Sequence, residues 1–136
     1  MKSSKLALAA SIAVATFAVI WGTQALNAQQ GPIQRKILQK KDLSVPGHEV
    51  VMVAVEIAPG AAEGLHTHPG EVMAYVQEGT LQLEIQGRPT ATLKAGDVVF
   101  VEAGKVHQGT NTGKTPTKLL ATFVVEKGKP LTTQVK

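Results

Sequence analysis

The sequence comprises 136 residues with a formal net charge of +4, a length typical of one compact domain rather than two. It contains no cysteine, which excludes disulfides, thiolate metal ligands and thiol nucleophiles, so a bound metal must be held by nitrogen and oxygen. No cluster of Lys and Arg with interleaved aromatic residues is present, and we therefore expect no nucleic-acid partner.

Residues 1–25 have the three-part pattern of a secretory signal peptide. Lys2 and Lys5 precede an uncharged 15-residue run from Leu6 to Ile20, and Thr23-Gln24-Ala25 supplies small residues before a cleavage site. The run is shorter than the roughly 20 apolar residues that span a bilayer. We expect an exported protein, periplasmic or secreted, that meets a membrane only if this segment is retained.

The rest of the chain predicts a polar tether over residues 26–36 and one all-β domain over residues 37–136. Short strand patterns alternate with Gly- and Pro-containing turns, at the spacing of about 8–12 residues that is typical of an antiparallel sandwich or barrel. No segment of this part has a capped helical period. The alternating apolar positions that we expect to face the interior are Val51, Val53, Val55, Ile57, Leu81, Leu83 and Ile85.

Three of the four histidines lie in two short segments. His66 and His68 occur in "GLHTHPGEV"; residues two apart on a strand face the same side, about 6.6 Å apart, and can converge on one ion. His107 follows 39 residues after His68, in "GDVVFVEAGKVHQGTN". A lone His-x-His pair is more simply a solvated surface pair, so the metal-site interpretation depends on the second segment.

Together the two segments resemble the paired signatures of the cupin superfamily. Residues 60–79 follow Gly-x5-His-x-His-x3,4-Glu-x6-Gly and residues 96–111 follow Gly-x5-Pro-x-Gly-x2-His-x3-Asn, except that Val72 and Glu102 replace the Glu and the Pro. The matching residues are Gly60, His66, His68, Gly79, Gly96, Gly104, His107 and Asn111.

The resemblance implies a single-domain jelly-roll β-barrel that holds one divalent ion through His66, His68 and His107. Nitrogen and oxygen ligands do not select among Fe, Mn, Zn, Ni and Cu. The resemblance also implies a homodimer, for which the segment "RKILQKKDL" (residues 35–43) is a candidate exchanged strand.

Whether Glu71 is a fourth ligand stays open at this point. The family glutamate falls on Val72, and a slip of one residue along a strand turns a side chain to the opposite face. A turn at Pro69-Gly70 or a bulge could re-aim Glu71; alternatively, the site has three histidines and water. We favour the second interpretation, in which Val72, Ala74 and Val76 face the interior.

Other polar and aromatic residues have simpler explanations. We expect His48 in an exposed loop, Asn111 in a turn held by its side chain, and Glu102 at the barrel rim. Met73, Tyr75 and Phe100 are most simply core residues.

Two functions of different class fit this pattern. The first is a metal-dependent enzyme of oxygenase, isomerase or lyase type that acts on a small organic substrate. The second is a non-catalytic module that binds or senses a small molecule through a structural or ligand-anchoring metal. A vestigial metal site is the third alternative, and neither the reaction nor the catalytic residues follow from the sequence.

Overall fold

The computed structural model describes residues 31–136, and no helix occurs among them. Within this range no segment is a helix of the length and apolarity needed to cross a membrane. The expected signal peptide and residues 26–30 of the expected tether lie outside the described residues. Ten strands are present: β1 Ile33–Asp42, β2 His48–Ile57, β3 His66–Thr67, β4 Glu71–Glu78, β5 Thr80–Ile85, β6 Ala91–Lys94, β7 Val98–Val101, β8 His107–Thr110, β9 Thr117–Glu126 and β10 Thr133–Gln134.

The strands form two five-stranded antiparallel sheets. The first sheet has the order β1-β2-β9-β4-β7 and the second has the order β10-β3-β8-β5-β6. Most neighbours within a sheet are distant in sequence, as in a jelly roll, in which each sheet takes strands from both halves of the chain. The expected all-β jelly-roll fold is confirmed.

The core lies between the inner faces of the two sheets. Side chains alternate along β2 and β5, and the apolar residue at every second position is buried. All seven residues predicted from this alternation are in the core, where they meet Leu119, Ala121, Phe123 and Val125 of β9. A period of two therefore suffices to identify the inner face.

The first strand begins earlier than the sequence predicts. β1 starts at Ile33, so residues 33–36, which we expected in the tether, pair with β2 instead. Ile33, Arg35 and Ile37 lie opposite Ile57, Val55 and Val53, which face the core. Almost every residue of this edge strand is exposed, and Arg35 stands between Ile33 and Ile37, so no clear apolar alternation marks the start of the strand in the sequence.

Three large side chains that we expected in the core are exposed instead. Met73 and Tyr75 of β4 and Phe100 of β7 have 55%, 43% and 45% of their surface accessible. They lie on the outer face of the first sheet, where Met73 is opposite Phe100. Hydrophobicity alone indicated burial, but the alternation of β4 assigns its inner face to Val72, Ala74 and Val76.

Candidate metal centre

Two short strands of the second sheet bring the histidines of the two sequence segments together. His66 of β3 is the cross-strand partner of His107 of β8, and their ring centroids are 4.2 Å apart. His68 follows β3 directly, and its ring centroid lies 4.9 Å from that of His66 and 4.8 Å from that of His107. All three side chains are buried.

Each ring is oriented by a backbone carbonyl. Nδ1 lies 2.7 Å from the Gly64 oxygen in His66, 2.6 Å from the Leu131 oxygen in His68 and 2.9 Å from the Lys105 oxygen in His107. A carbonyl oxygen can only accept, so Nδ1 carries the proton and donates in each ring. In a neutral ring with this orientation the Nε2 lone pair is free, which is the tautomer that binds a metal through Nε2.

Burial also favours the neutral form of the His68 and His107 rings. It lowers the pKa of His68 from its ordinary 6.5 to about 4; the carbonyl of Leu131 acts in the opposite direction, and the charges of His107, His66 and Arg35 lower this pKa further. Burial likewise lowers the pKa of His107, against the opposing effects of the Lys105 carbonyl and the Glu63 carboxylate. Neutral imidazole is the form that coordinates a metal.

The donor set fits a divalent transition metal. One ring nitrogen from each histidine lies within 4.8 Å of the other two, a separation that one ion at about 2.1 Å from each nitrogen can bridge after small ring rotations. Among residues 31–136, this trio is the only group of three or more His, Asp or Glu side chains with such spacing.

Glu71 does not belong to this cluster. It is the first residue of β4, pairs with Val124 of β9, and has an exposed side chain. Val72 has the position of the family glutamate and lies in the cavity wall. β4 is regular from its first residue to Val76, so no bulge turns Glu71 inward, and the donors that meet are three histidines.

Tight turns position the loops that carry the histidines. Gly70 lies against β9 so closely that a Cβ atom would be 2.0 Å from the Val124 carbonyl oxygen. Gly104 has a φ of 71°, which favours glycine, and its N–H donates to the carbonyl of His68 at 2.9 Å. That hydrogen bond joins the loop before His107 to the loop after His66.

The rings lie in the wall of a small cavity of ≈ 60 Å³ inside the barrel. A single buried water needs at least about 10–15 Å³ on this measure, so the cavity has room for a small molecule of only a few heavy atoms. Its wall is mainly apolar and comprises Val55, Val72, Ala74, Leu81, Leu83, Val99, Val101, Leu119, Ala121 and Phe123, with Thr132 as a neutral polar group. Phe123 packs edge-on against His68 with centroids 5.0 Å apart.

The sequence patterns do not single out two charged residues of this wall, Arg35 and Glu63. Arg35 comes from β1, and Glu63 lies three residues before His66 in the loop after β2. The sequence gives only an indirect signal for Arg35, which alternates with Ile33 and Ile37 as a residue on the same strand face would. It gives none for Glu63, which lies at one of the five unspecified positions of the first signature.

The remaining candidates lie away from the histidines. His48 begins β2, is half-buried, and bonds the carbonyl of Pro46 through Nδ1 at 3.0 Å. Asn111 is fully buried, and its amide nitrogen donates to the carbonyls of Ile57 and Thr115 at 2.9 and 2.8 Å. Glu102 pairs with Arg88 and is half-exposed. These contacts agree with a turn role for Asn111 and a rim position for Glu102.

The fold and the sequence together define the class. The family model described as "Cupin domain" matches residues 53–129, more than half of the chain, and the protein belongs to that family. A solved protein with a double-stranded β-helix domain from Klebsiella pneumoniae superposes with a TM-score of 0.62 at 21% identity, over 78% of this chain and 86% of the other.

Two further similarities concern proteins whose ligands or activities are known. An oxalate-binding protein of Thermotoga maritima is 35% identical over 72 residues, which are 52% of this chain and 59% of that protein. A structure of oxalate oxidase matches with a TM-score of 0.52 and 26% identity, over 57% of this chain and 46% of the other. The chain spans 36–59% of the length of the curated relatives that it matches.

Proposed function

We propose that this protein binds one divalent metal ion through the Nε2 atoms of His66, His68 and His107 and uses it to hold a small organic molecule. The observation that carries the proposal is the shared orientation of the three rings, each fixed by an Nδ1–H bond to a carbonyl. A solvated or purely structural histidine has no need of a free, inward-facing nitrogen beside two others.

A bound ion of this kind supplies Lewis acidity and open coordination positions for an oxygen ligand. The candidate ions are Zn, Cu, Ni, Fe and Mn, of which imidazole donors suit the first four best. The chain itself orients the ligand nitrogens, excludes bulk water through the apolar wall and limits the ligand to a few heavy atoms. Val72, in the place of the family glutamate, leaves the charge of the ion uncompensated by its ligands.

Oxalate is the first candidate ligand because a relative is an oxalate-binding protein and a similar structure is an oxalate oxidase. We propose a metal-dependent enzyme of oxygenase, isomerase or lyase type. The alternative is a non-catalytic binding or sensing module, which the wall itself favours. Its carboxylate, Glu63, is paired with Arg35 before a ligand binds, and a guanidinium cannot accept a proton.

The two alternatives are separable by experiment. Protein isolated without added metal is analysed for metal content, then tested with oxalate for oxygen uptake, peroxide and carbon dioxide. About one ion per chain is the result expected, and absence of metal after reconstitution with each candidate ion contradicts the proposal. Saturable oxalate binding without turnover favours the binding module, whereas turnover that a chelator abolishes favours the enzyme.

We further propose that the protein is exported to the periplasm or secreted, with residues 1–25 removed as a signal peptide. The composition of that segment supports this, since a charged start, an apolar run and small residues precede the proposed site. Sequencing the amino terminus of protein recovered from cell fractions tests it. An intact amino terminus in the cytoplasmic fraction contradicts it, whereas an intact one in the membrane fraction identifies an anchor.

We also propose a homodimer built on the outer face of the first sheet. Four exposed side chains there are neighbours across two strands, since Met73 pairs with Phe100 and Tyr75 pairs with Val98. β1 is an edge strand with Ile37 and Leu38 exposed, and unpaired edges are commonly covered by a second chain. The apolar outer face is the larger of the two exposed features, and the β1 edge is the second candidate interface.

A further inference from the structure

An ion pair between distant parts of the chain lies in the wall of the histidine cavity. Arg35 Nη2 donates to Glu63 Oε1 at 2.9 Å. The Arg35 side chain is 41% exposed, whereas that of Glu63 is 13% exposed. The guanidinium is therefore reachable from solvent while the carboxylate lies mostly beneath it.

Neither residue belongs to the elements that define the family. Arg35 lies outside the matched residues 53–129, on an edge strand that places it opposite Val55 of the cavity wall. Glu63 occupies an unspecified position between Gly60 and His66. The pair therefore lies outside the fixed positions of the two histidine signatures.

Glu63 has a dedicated place beside the metal ligands. Its N–H donates to the carbonyl of Gly109 at 2.9 Å, two residues beyond His107 on β8. A Cβ atom at Gly109 would lie 2.9 Å from Glu63 Oε2, so the absence of a side chain at this position makes room for the carboxylate. Glu63 raises the pKa of His107, and Arg35 lowers that of His68, so both charges act on the histidine cluster.

The charges of the cavity favour an anionic ligand once an ion is bound. With neutral histidines the positive charge of Arg35 and the negative charge of Glu63 cancel, and a divalent ion then adds two positive charges within an apolar wall. An arginine fork matches a carboxylate in geometry and can bind both of its oxygens. A cavity of ≈ 60 Å³ restricts the ligand to a small acid, such as one of two or three carbons.

We propose that Arg35 is the ligand-recognition residue of this cavity and selects small carboxylates, with Glu63 as the counter-ion that Arg35 releases when a carboxylate binds. The inference deepens the proposed function and rests on it. It requires no new bond and no oxidant, because one carboxylate replaces another at the guanidinium. The competing explanation is that the pair only fastens β1 to the barrel.

Titration calorimetry on the full-length, metal-loaded protein tests this, with oxalate as the dianion and oxamide as its neutral analogue of similar size. Oxalate should bind, and oxamide should bind at least about tenfold more weakly because the charge-assisted contact is lost. Arg35→Gln should weaken oxalate binding about 10- to 100-fold with metal content unchanged. Lys36→Gln, one residue along β1 and exposed, is the control for net charge and should match the parent protein.

Glu63→Gln separates the two explanations. If Glu63 competes for Arg35, its neutral replacement should tighten oxalate binding about tenfold. If the ion pair only holds β1 against the barrel, the same replacement should not tighten oxalate binding. Equal oxalate affinity in Arg35→Gln and the parent, equal binding of oxamide, or absence of oxalate binding to metal-loaded protein overturns the inference alone. Loss of metal from Arg35→Gln also overturns the inference, because it shows that Arg35 supports the structure of the metal site. A parent protein without metal overturns the metal site, and the inference falls with it.

Discussion

His66 and His107 are cross-strand partners, although 41 residues separate them in the chain. Their rings, 4.2 Å apart, cannot both be charged without strong repulsion, and burial favours the neutral form of His107. The pairing brings the two histidine segments together, so the register between β3 and β8 determines the geometry of the histidine cluster.

Removal of either partner should abolish metal binding without unfolding the barrel. His66→Ala or His107→Ala leaves two donors. We expect metal affinity to fall by about 100-fold or more, which exceeds the loss that is typical when a residue that only orients a ligand is replaced. Apolar burial between the sheets should keep the far-ultraviolet circular dichroism unchanged. Metal content after dialysis measures the effect, with His48→Ala as the control. Full metal content in both cavity variants would disprove the site.

Glu71→Ala should leave metal affinity unchanged within about twofold, because an exposed surface residue contributes little beyond its own strand. Competition with a chromophoric chelator measures this affinity. The companion variant Glu63→Ala shows whether the other nearby carboxylate contributes. A loss of tenfold or more in Glu71→Ala would mean that the first turn of β4 rearranges to bring this carboxylate to the ion.

The orientation of Glu71 was predictable from strand periodicity alone. Alternation along β4 correctly assigned Val72, Ala74 and Val76 to the interior and turned Glu71 outward, because register on a half-buried strand is strongly determined. The same alternation identified the core positions of β2 and β5. The resemblance to the paired cupin signatures likewise predicted that His66, His68 and His107 would meet.

What the sequence did not predict depends on contacts between distant segments. The Leu131 carbonyl that orients His68 lies 63 residues away, and Arg35 reaches Glu63 across 28 residues; no local pattern encodes either contact. Met73, Tyr75 and Phe100 were misassigned for a different reason. Apolar character alone does not distinguish the inner face of a strand from its outer face.

Val72→Glu should create a four-donor site. Val72 is 5% exposed and lies in the cavity wall, so a carboxylate there faces the histidines. Without metal, the buried charge lacks a partner and should lower the melting temperature, since burial of an unpaired charge is costly. With metal, affinity should rise about tenfold or more, as each decade corresponds to about 1.4 kcal/mol. Val72→Gln, similar in size but uncharged, controls for bulk, and equal affinity in the two variants would contradict the prediction.

The metal-free protein should lose stability as the pH falls from about 6.5 towards 4. The pKa of His68 is 6.5 when exposed and about 4 when folded, so in this window the unfolded chain binds a proton that the folded chain does not. Its contribution is present above pH 6.5, declines through the window, and changes no further below 4. Urea unfolding at several pH values should show a slope of at most about 1.4 kcal/mol per pH unit from this group. His68→Gln should flatten the dependence and His48→Gln should not; equal slopes in the parent protein and His68→Gln would contradict the assignment.

If the proposed homodimer forms through the outer face of the first sheet, a charge placed on that face should separate the two chains. Met73 is 55% exposed and pairs with Phe100, so Met73→Glu places a carboxylate in the centre of the apolar surface without touching the cavity. Light scattering coupled to size exclusion should report twice the chain mass for the parent protein and one chain mass for the variant. Thr92→Glu, exposed on β6 of the other sheet, should remain dimeric. A parent protein that elutes as a monomer at high concentration would refute the dimer. A dimeric Met73→Glu would show that the interface lies on another face. The β1 edge would then be tested next, because it is an open edge of the sheet.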